Sequence, residues 1–177
     1  MEFLSQIERT ILGWLKSIPH LPKQFQQWLG DNAWWMAAGG AALTGLVALG
    51  MLVAVLGDIA ALTSPVASWF VSTTVIIWSI VKTLFIFVST ALVCAIFAYA
   101  VIPVKEKQKK GWVLLFGAFL VTAVSAFLMA VLTLNFLGFI SSILFSALIL
   151  AIWAYFLFEI HGEFAHDRPV KDTSAKK

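Results

Sequence analysis

The stretch Lys105-Glu106-Lys107-Gln108-Lys109-Lys110-Gly111-Trp112 constrains this chain more than any other. It is a short, basic, turn-prone loop between two apolar runs, each long enough to cross a bilayer. Backbone inside hydrocarbon must satisfy its own polar groups, so such runs fold as helices. Lysines clustered between them fix the side on which the loop stays, because cytoplasmic loops carry the excess of Lys and Arg. Composition agrees: the 177 residues are 61% hydrophobic and 12% charged, with mean hydropathy +0.94, where a soluble domain has about 25% charged residues. The expected class is an all-α polytopic membrane protein. The formal charge of +3 flanks apolar runs, which points to topology and to anionic lipid at the cytoplasmic face, with no nucleic-acid partner. Cys94 is the only cysteine, so no intrachain disulfide or cysteine metal cluster is expected. The first long apolar run begins near Ala33 behind a polar segment, and no cleavable signal peptide is expected.

Residues 1–32 read as a cytoplasmic amphipathic segment. Phe3, Leu4, Ile7, Ile11, Trp14, Leu15 and Ile18 recur at three-to-four spacing on one helical face, with Glu2, Glu8, Arg9 and Lys16 elsewhere. The expected structure is a helix lying on the cytoplasmic leaflet; packing against the bundle or a partner is the alternative. Pro19 and Pro22 break it, with His20 between them as a solvated turn residue. Lys23 to Leu29 forms a second short segment, Gly30 a stop, and Asp31 or Asn32 a cap for the next helix.

Residues 33–158 are expected to form a four-helix transmembrane domain in two hairpins, with spans at about 34–56, 83–102, 112–134 and 139–158 and a cytoplasmic tail at 159–177. In the first span Ala37, Ala41, Gly45 and Ala48, then Gly50, Ala54 and Gly57, allow close helix approach, here expected within the chain. Asp58 ends that span, Thr63-Ser64-Pro65 begins an outer-face helix over 65–81, and Lys82 marks the outer boundary of the second span. Pro103 stops that span. Residues 59–81 are apolar enough for a fifth span, but five would put Arg9, Lys16 and Lys23 opposite the basic loop. Four spans gather 11 of the 12 basic residues on the cytoplasmic side and leave only Lys82 outside, as the charge bias requires. Trp34, Trp35, Tyr99, Trp112 and Tyr155 then fall in one interfacial aromatic belt.

The four spans contain no Asp, Glu, His, Lys or Arg, the residues by which ion pathways and proton relays usually reveal themselves. The densest set of possible ligands is Glu159, His161, Glu163, His166 and Asp167. Glu163 and His166 have the Glu-x-x-His spacing of di-metal carboxylate sites, but such sites use the motif twice with further carboxylates. The set therefore reads as a solvated juxtamembrane face. Asp58 and Lys82 are placed to pair at the outer surface. Ser89, Thr90, Thr122 and Ser125 can bond their own helix backbones, with no nucleophile–base arrangement beside them. No catalytic, cofactor or metal residues are assigned.

Pro103, the run Lys109-Lys110-Gly111-Trp112-Val113-Leu114-Leu115-Phe116, and the span end Tyr155-Phe156-Leu157-Phe158-Glu159-Ile160 together resemble an uncharacterised family of small four-span membrane proteins from candidate-phylum bacteria. The resemblance implies an integral protein of the cytoplasmic membrane. The expected role is a non-catalytic structural or interaction subunit, as a homo-oligomer or with other membrane proteins. The competing expectation is a small-solute channel or transporter.

Overall fold

A computed structural model describes residues 20–66, 69, 71–132 and 136–164. The expected amphipathic helix ending at Ile18, and His166 and Asp167 of the tail, lie outside the described residues. Among the described residues, five helices with defined bounds follow in order: α1 (Lys23–Thr63), α2 (Thr73–Lys105), α3 (Lys109–Leu132), α4 (Phe136–Glu159) and the single turn α5 (His161–Phe164). The first four are each long and apolar enough to cross a membrane. α1 packs along α2, α2 along α3 and α3 along α4.

The 41 residues of α1 form one helix where two were expected. Pro22 starts it, its carbonyl accepting the amides of Phe25 (2.8 Å) and Gln26 (3.1 Å). Gly30 does not stop it. A Cβ at that position would come within 3.1 Å of Glu163 Cγ, so the missing side chain admits α5 against the helix. Asp31 and Asn32 are not caps either: Asp31 pairs with Lys107, and the Asn32 amide donates to Trp28 O one turn back at 2.8 Å. Nor does Asp58 end the helix, since its carboxylate accepts a hydrogen bond from Ser79 Oγ at 2.8 Å. The stop is Pro65. It disfavours helical backbone in its predecessor, and Ser64 is extended (φ −84°, ψ 119°) with its N–H on Ala61 O.

Ser64 therefore closes α1; of the outer-face helix expected over 65–81, residues 67, 68 and 70 lie outside the described residues. Residues 73–81 belong to the same 33-residue helix as the second span. At ~1.5 Å per residue α1 and α2 are about 61 and 50 Å long, against about 36 Å for α3 and α4. Lys82 lies about 34 Å along α2 from Lys105, close to one hydrocarbon thickness. Pro103 sits two residues inside the end of α2, within the ordinary uncertainty of a helix boundary.

The buried core is concentrated at one end of the bundle, called here the basic end. Leu29, Ala33 and Ala37 of α1 meet Ala100 and Val104 of α2, Trp112, Leu115 and Phe116 of α3, and Leu157, Phe158, Ile160 and Phe164 beyond. Among the other described residues, the buried hydrophobics are scattered: Ala48, Val55, Ile76, Val93, Ala118 and Ala130. The seven small residues of α1 divide accordingly. Ala37 and Ala48 are buried, Ala41 O accepts Cys94 Sγ at 3.2 Å, and a Cβ on Gly45 would touch Cys94 Sγ at 3.4 Å. Gly50 and Gly57 have nothing within 4 Å of a Cβ, and Ala54 is exposed.

Candidate functional site

The loop that joins α2 to α3 is a compact turn with specific capping. Lys107 adopts a left-handed backbone (φ 52°). Its N–H reaches Val104 O at 3.0 Å and that of Gln108 reaches Pro103 O at 2.9 Å. These are the paired bonds of a Schellman cap, which usually places glycine where Lys107 stands. α3 then begins in contact with the end of α2. A Cβ on Gly111 would lie 2.6 Å from Val104 N and 2.7 Å from Pro103 C. Only glycine permits that approach.

Two polar clasps tie the start of α1 to this loop and to the end of α4. In the first, the Glu159 side chain, 4% exposed, accepts from His20 Nδ1 at 2.8 Å. It also accepts from the Leu21 amide at 3.2 Å and Gln26 Nε2 at 2.6 Å. In the second, Lys107 Nζ lies 2.5 Å from Asp31 Oδ1 and 3.6 Å from Glu163 Oε2. Beneath both, Trp112 is buried and donates Nε1–H to Leu157 O at 2.9 Å. It stacks on Phe116 and meets Phe158 and His161 edge-on. Trp112 is thus a core residue and not a belt anchor. Trp35 and Tyr99 are exposed, and Lys105 and Lys110 sit over Trp34 and Tyr99 at 5.0 and 5.2 Å.

The juxtamembrane set is therefore less solvated than expected, because Glu159 is enclosed by donors from the start of α1. His20, expected as a solvated turn residue, is exposed yet hydrogen-bonded. Asp58 is bonded to Ser79 and not paired with Lys82. Among the described residues, no three of His, Cys, Asp and Glu come together in a way that could hold a metal ion. Sequence reasoning missed Gln26, Asp31 and Lys107 as parts of the clasps. The available signals were Gly30 and Gly111, two glycines in helix-forming context beside charged residues.

Two cavities lie above one another along the bundle. The lower, about 170 Å³, is mostly apolar and lined by Leu29, Ala33, Ala37, Leu115, Leu157 and neighbours. A layer of Phe97, Phe119 and Trp153 follows, Phe97 stacked on Trp153 at 5.7 Å and Phe119 edge-on to it at 5.7 Å. Gly40 makes room for the Phe97 ring. About one turn further from the basic end is a cleft of about 160 Å³ lined by Thr44, Ser89, Thr90, Val93, Thr122 and Ser125. No family model, curated protein or solved structure matches the chain.

Proposed function

We propose that the chain is a multi-pass protein of the cytoplasmic membrane, both termini in the cytoplasm, its spans paired as two hairpins behind an N-terminal interfacial helix. Its role is non-catalytic: a structural element, or a subunit that binds other membrane proteins or a second copy of itself. The two clasps support this reading, because each charged group in them is committed to holding helix ends together. The observation that carries it is the outward face of α1. Gly50 and Gly57 are open and Ala54 is exposed, on a span otherwise faced with Leu43, Leu46, Val53 and Leu56. Small residues in lipid let another helix backbone approach closely. The resemblance of Pro103 to Ile160 to small four-span bacterial proteins of unassigned activity agrees with a place in the cytoplasmic membrane.

The test is cross-linking in native membranes, in a Cys94→Ser background. Gly50→Cys should give a thiol cross-linked species of defined size, to itself or to a partner. Gly45→Cys, which faces α2, should give none. Equal yields at both positions, or none at Gly50, would remove the interaction reading.

The competing reading, a small-solute channel or transporter, is favoured by the hydroxyl-lined cleft. The aromatic layer of Phe97, Phe119 and Trp153 opposes it within one chain. Reproducible saturable or ion-selective flux into liposomes containing the purified protein would decide for it.

A further inference from the structure

The cleft of α1, α2 and α3 combines features that an ordinary helix interface does not need. Five of its six lining residues are hydroxylic, and they come from three different helices. Thr90 lies about 22 Å along α2 from Lys105 and Thr122 about 20 Å along α3 from Lys109, near the middle of the hydrocarbon. Three of the hydroxyl protons are directed to the parent helix: Thr44 to Gly40 O at 2.6 Å, Ser89 to Phe85 O at 2.8 Å and Thr122 to Ala118 O at 2.9 Å. Each of those oxygens keeps lone pairs that can accept. The Thr90 and Ser125 hydroxyls make no hydrogen bond among the described residues, so their protons remain to be donated. Residues of α4 do not line the cleft; at this height Ser146, Ala147 and Leu150 face Ala123, Ala126 and Phe127 of α3 instead. The cleft is thereby left open to the lipid side, while the aromatic layer forms its floor toward the basic end.

We propose that this cleft binds a small uncharged amphiphile, an apolar body of about six to nine heavy atoms bearing one hydroxyl. The size follows from its volume of about 160 Å³, similar to an apolar cavity of about 150 Å³ that takes benzene. The hydroxyl follows from the lining: hydroxylic side chains of three helices border one mostly apolar cleft, and an alcohol can both donate to and accept from such groups. A carboxylate or ammonium group is excluded, because the lining holds no counter-charge and desolvation of an ion at this depth is costly. Val93 and the aliphatic parts of the threonines hold the apolar body.

The experiment uses the full chain in lipid nanodiscs and a diazirine-bearing hexanol as photolabel, with adducts mapped by peptide mass spectrometry. Adducts should concentrate on the segments holding Thr90 to Val93 and Thr122 to Ser125. Excess 1-hexanol should remove them, and hexane at equal membrane concentration should not. Thr122→Val combined with Ser125→Ala should lower specific labelling about five- to tenfold, as expected for two hydrogen bonds of intramembrane strength, and Val93→Phe should abolish it by filling the space. Displacement by hexane as effective as by hexanol, or adducts spread evenly over lipid-facing residues, would show bulk partition and overturn the proposal. Labelling that never saturates would likewise show partition without a site, and the proposal is equally lost. Should the variants fail to fold, the hexanol-against-hexane comparison on the native chain decides alone. None of these outcomes bears on the cross-linking at Gly50.

Discussion

Gly111 and Lys107 show how much of the basic end depends on single backbone positions. Gly111→Ala puts a methyl group 2.6–2.9 Å from the backbone of Val104 and Pro103, atoms that cannot swing aside as a flexible side chain would. The helices must separate locally, and the expected cost is about 1–3 kcal/mol, the usual range for overpacking, read as a lower midpoint in detergent unfolding. Lys107 carries two opposed effects: its left-handed backbone disfavours any side chain by about 1–2 kcal/mol, while its ammonium holds Asp31 and Glu163. Lys107→Gly loses the ion pairs but relieves the backbone; Lys107→Ala loses the ion pairs and relieves nothing. The alanine variant should therefore unfold first, by about 1 kcal/mol, in the same measurement. Equal midpoints would mean that the turn is not left-handed. Neither role was legible in the sequence. Lysine next to lysine reads as charge for topology, and only the approach of Asp31 and Glu163, 76 and 56 positions away, turns one of the four into a clasp. Trp112 was misread for the same reason: its indole lies beside lysines in sequence, but its hydrogen-bond partner is Leu157.

At the scale of elements, the number of long apolar helices was readable because apolar length and charge are local properties, whereas helix ends were not. Gly30 and Asp58 look like stops by composition, yet one is there for the close approach of Glu163 and the other finds Ser79. Pro65 stops α1 because its effect on the preceding residue needs no tertiary partner. The N-terminal segment is the element whose reading rests on periodicity alone. The stripe from Phe3 to Ile18 should bind a membrane surface mainly through its apolar face, with Arg9 and Lys16 adding about 1 kcal/mol each near anionic lipid and Glu2 and Glu8 opposing them. Ile7→Asp with Ile11→Asp should release the segment to protease, and raised salt by itself should not. A synthetic peptide of residues 1–18 should become helical on anionic vesicles. A peptide that stays unstructured there would make the segment a docking element for the bundle or a partner.

For the whole molecule, the decisive relation is which ends lie together. The clasps bring the start of α1, the α2–α3 loop and the end of α4 to one end, through His20 to Glu159 and Lys107 to Asp31. Lys23, Lys105, Lys107, Lys109 and Lys110 are therefore gathered there, while Lys82 sits toward the other end of α2. An odd number of spans would have separated Lys23 from the loop. The charge bias then predicts that the basic end is cytoplasmic. In a Cys94→Ser background, single cysteines at Ser5, Gln108, Ser174 and Ser64 can be treated with an impermeant thiol reagent in intact cells. Only Ser64→Cys should react before the membrane is permeabilised, and the other three only afterwards. Reaction at Ser5, Gln108 and Ser174 but not Ser64 would invert the molecule while leaving four spans in place. Opposite exposure of Ser5 and Gln108 would require one more crossing before Gln108, which a fifth span over 59–81 does not readily supply, because α1 runs unbroken to Thr63. The four labels thus separate the number of crossings, which the helices and clasps support, from their direction, which only the lysines indicate.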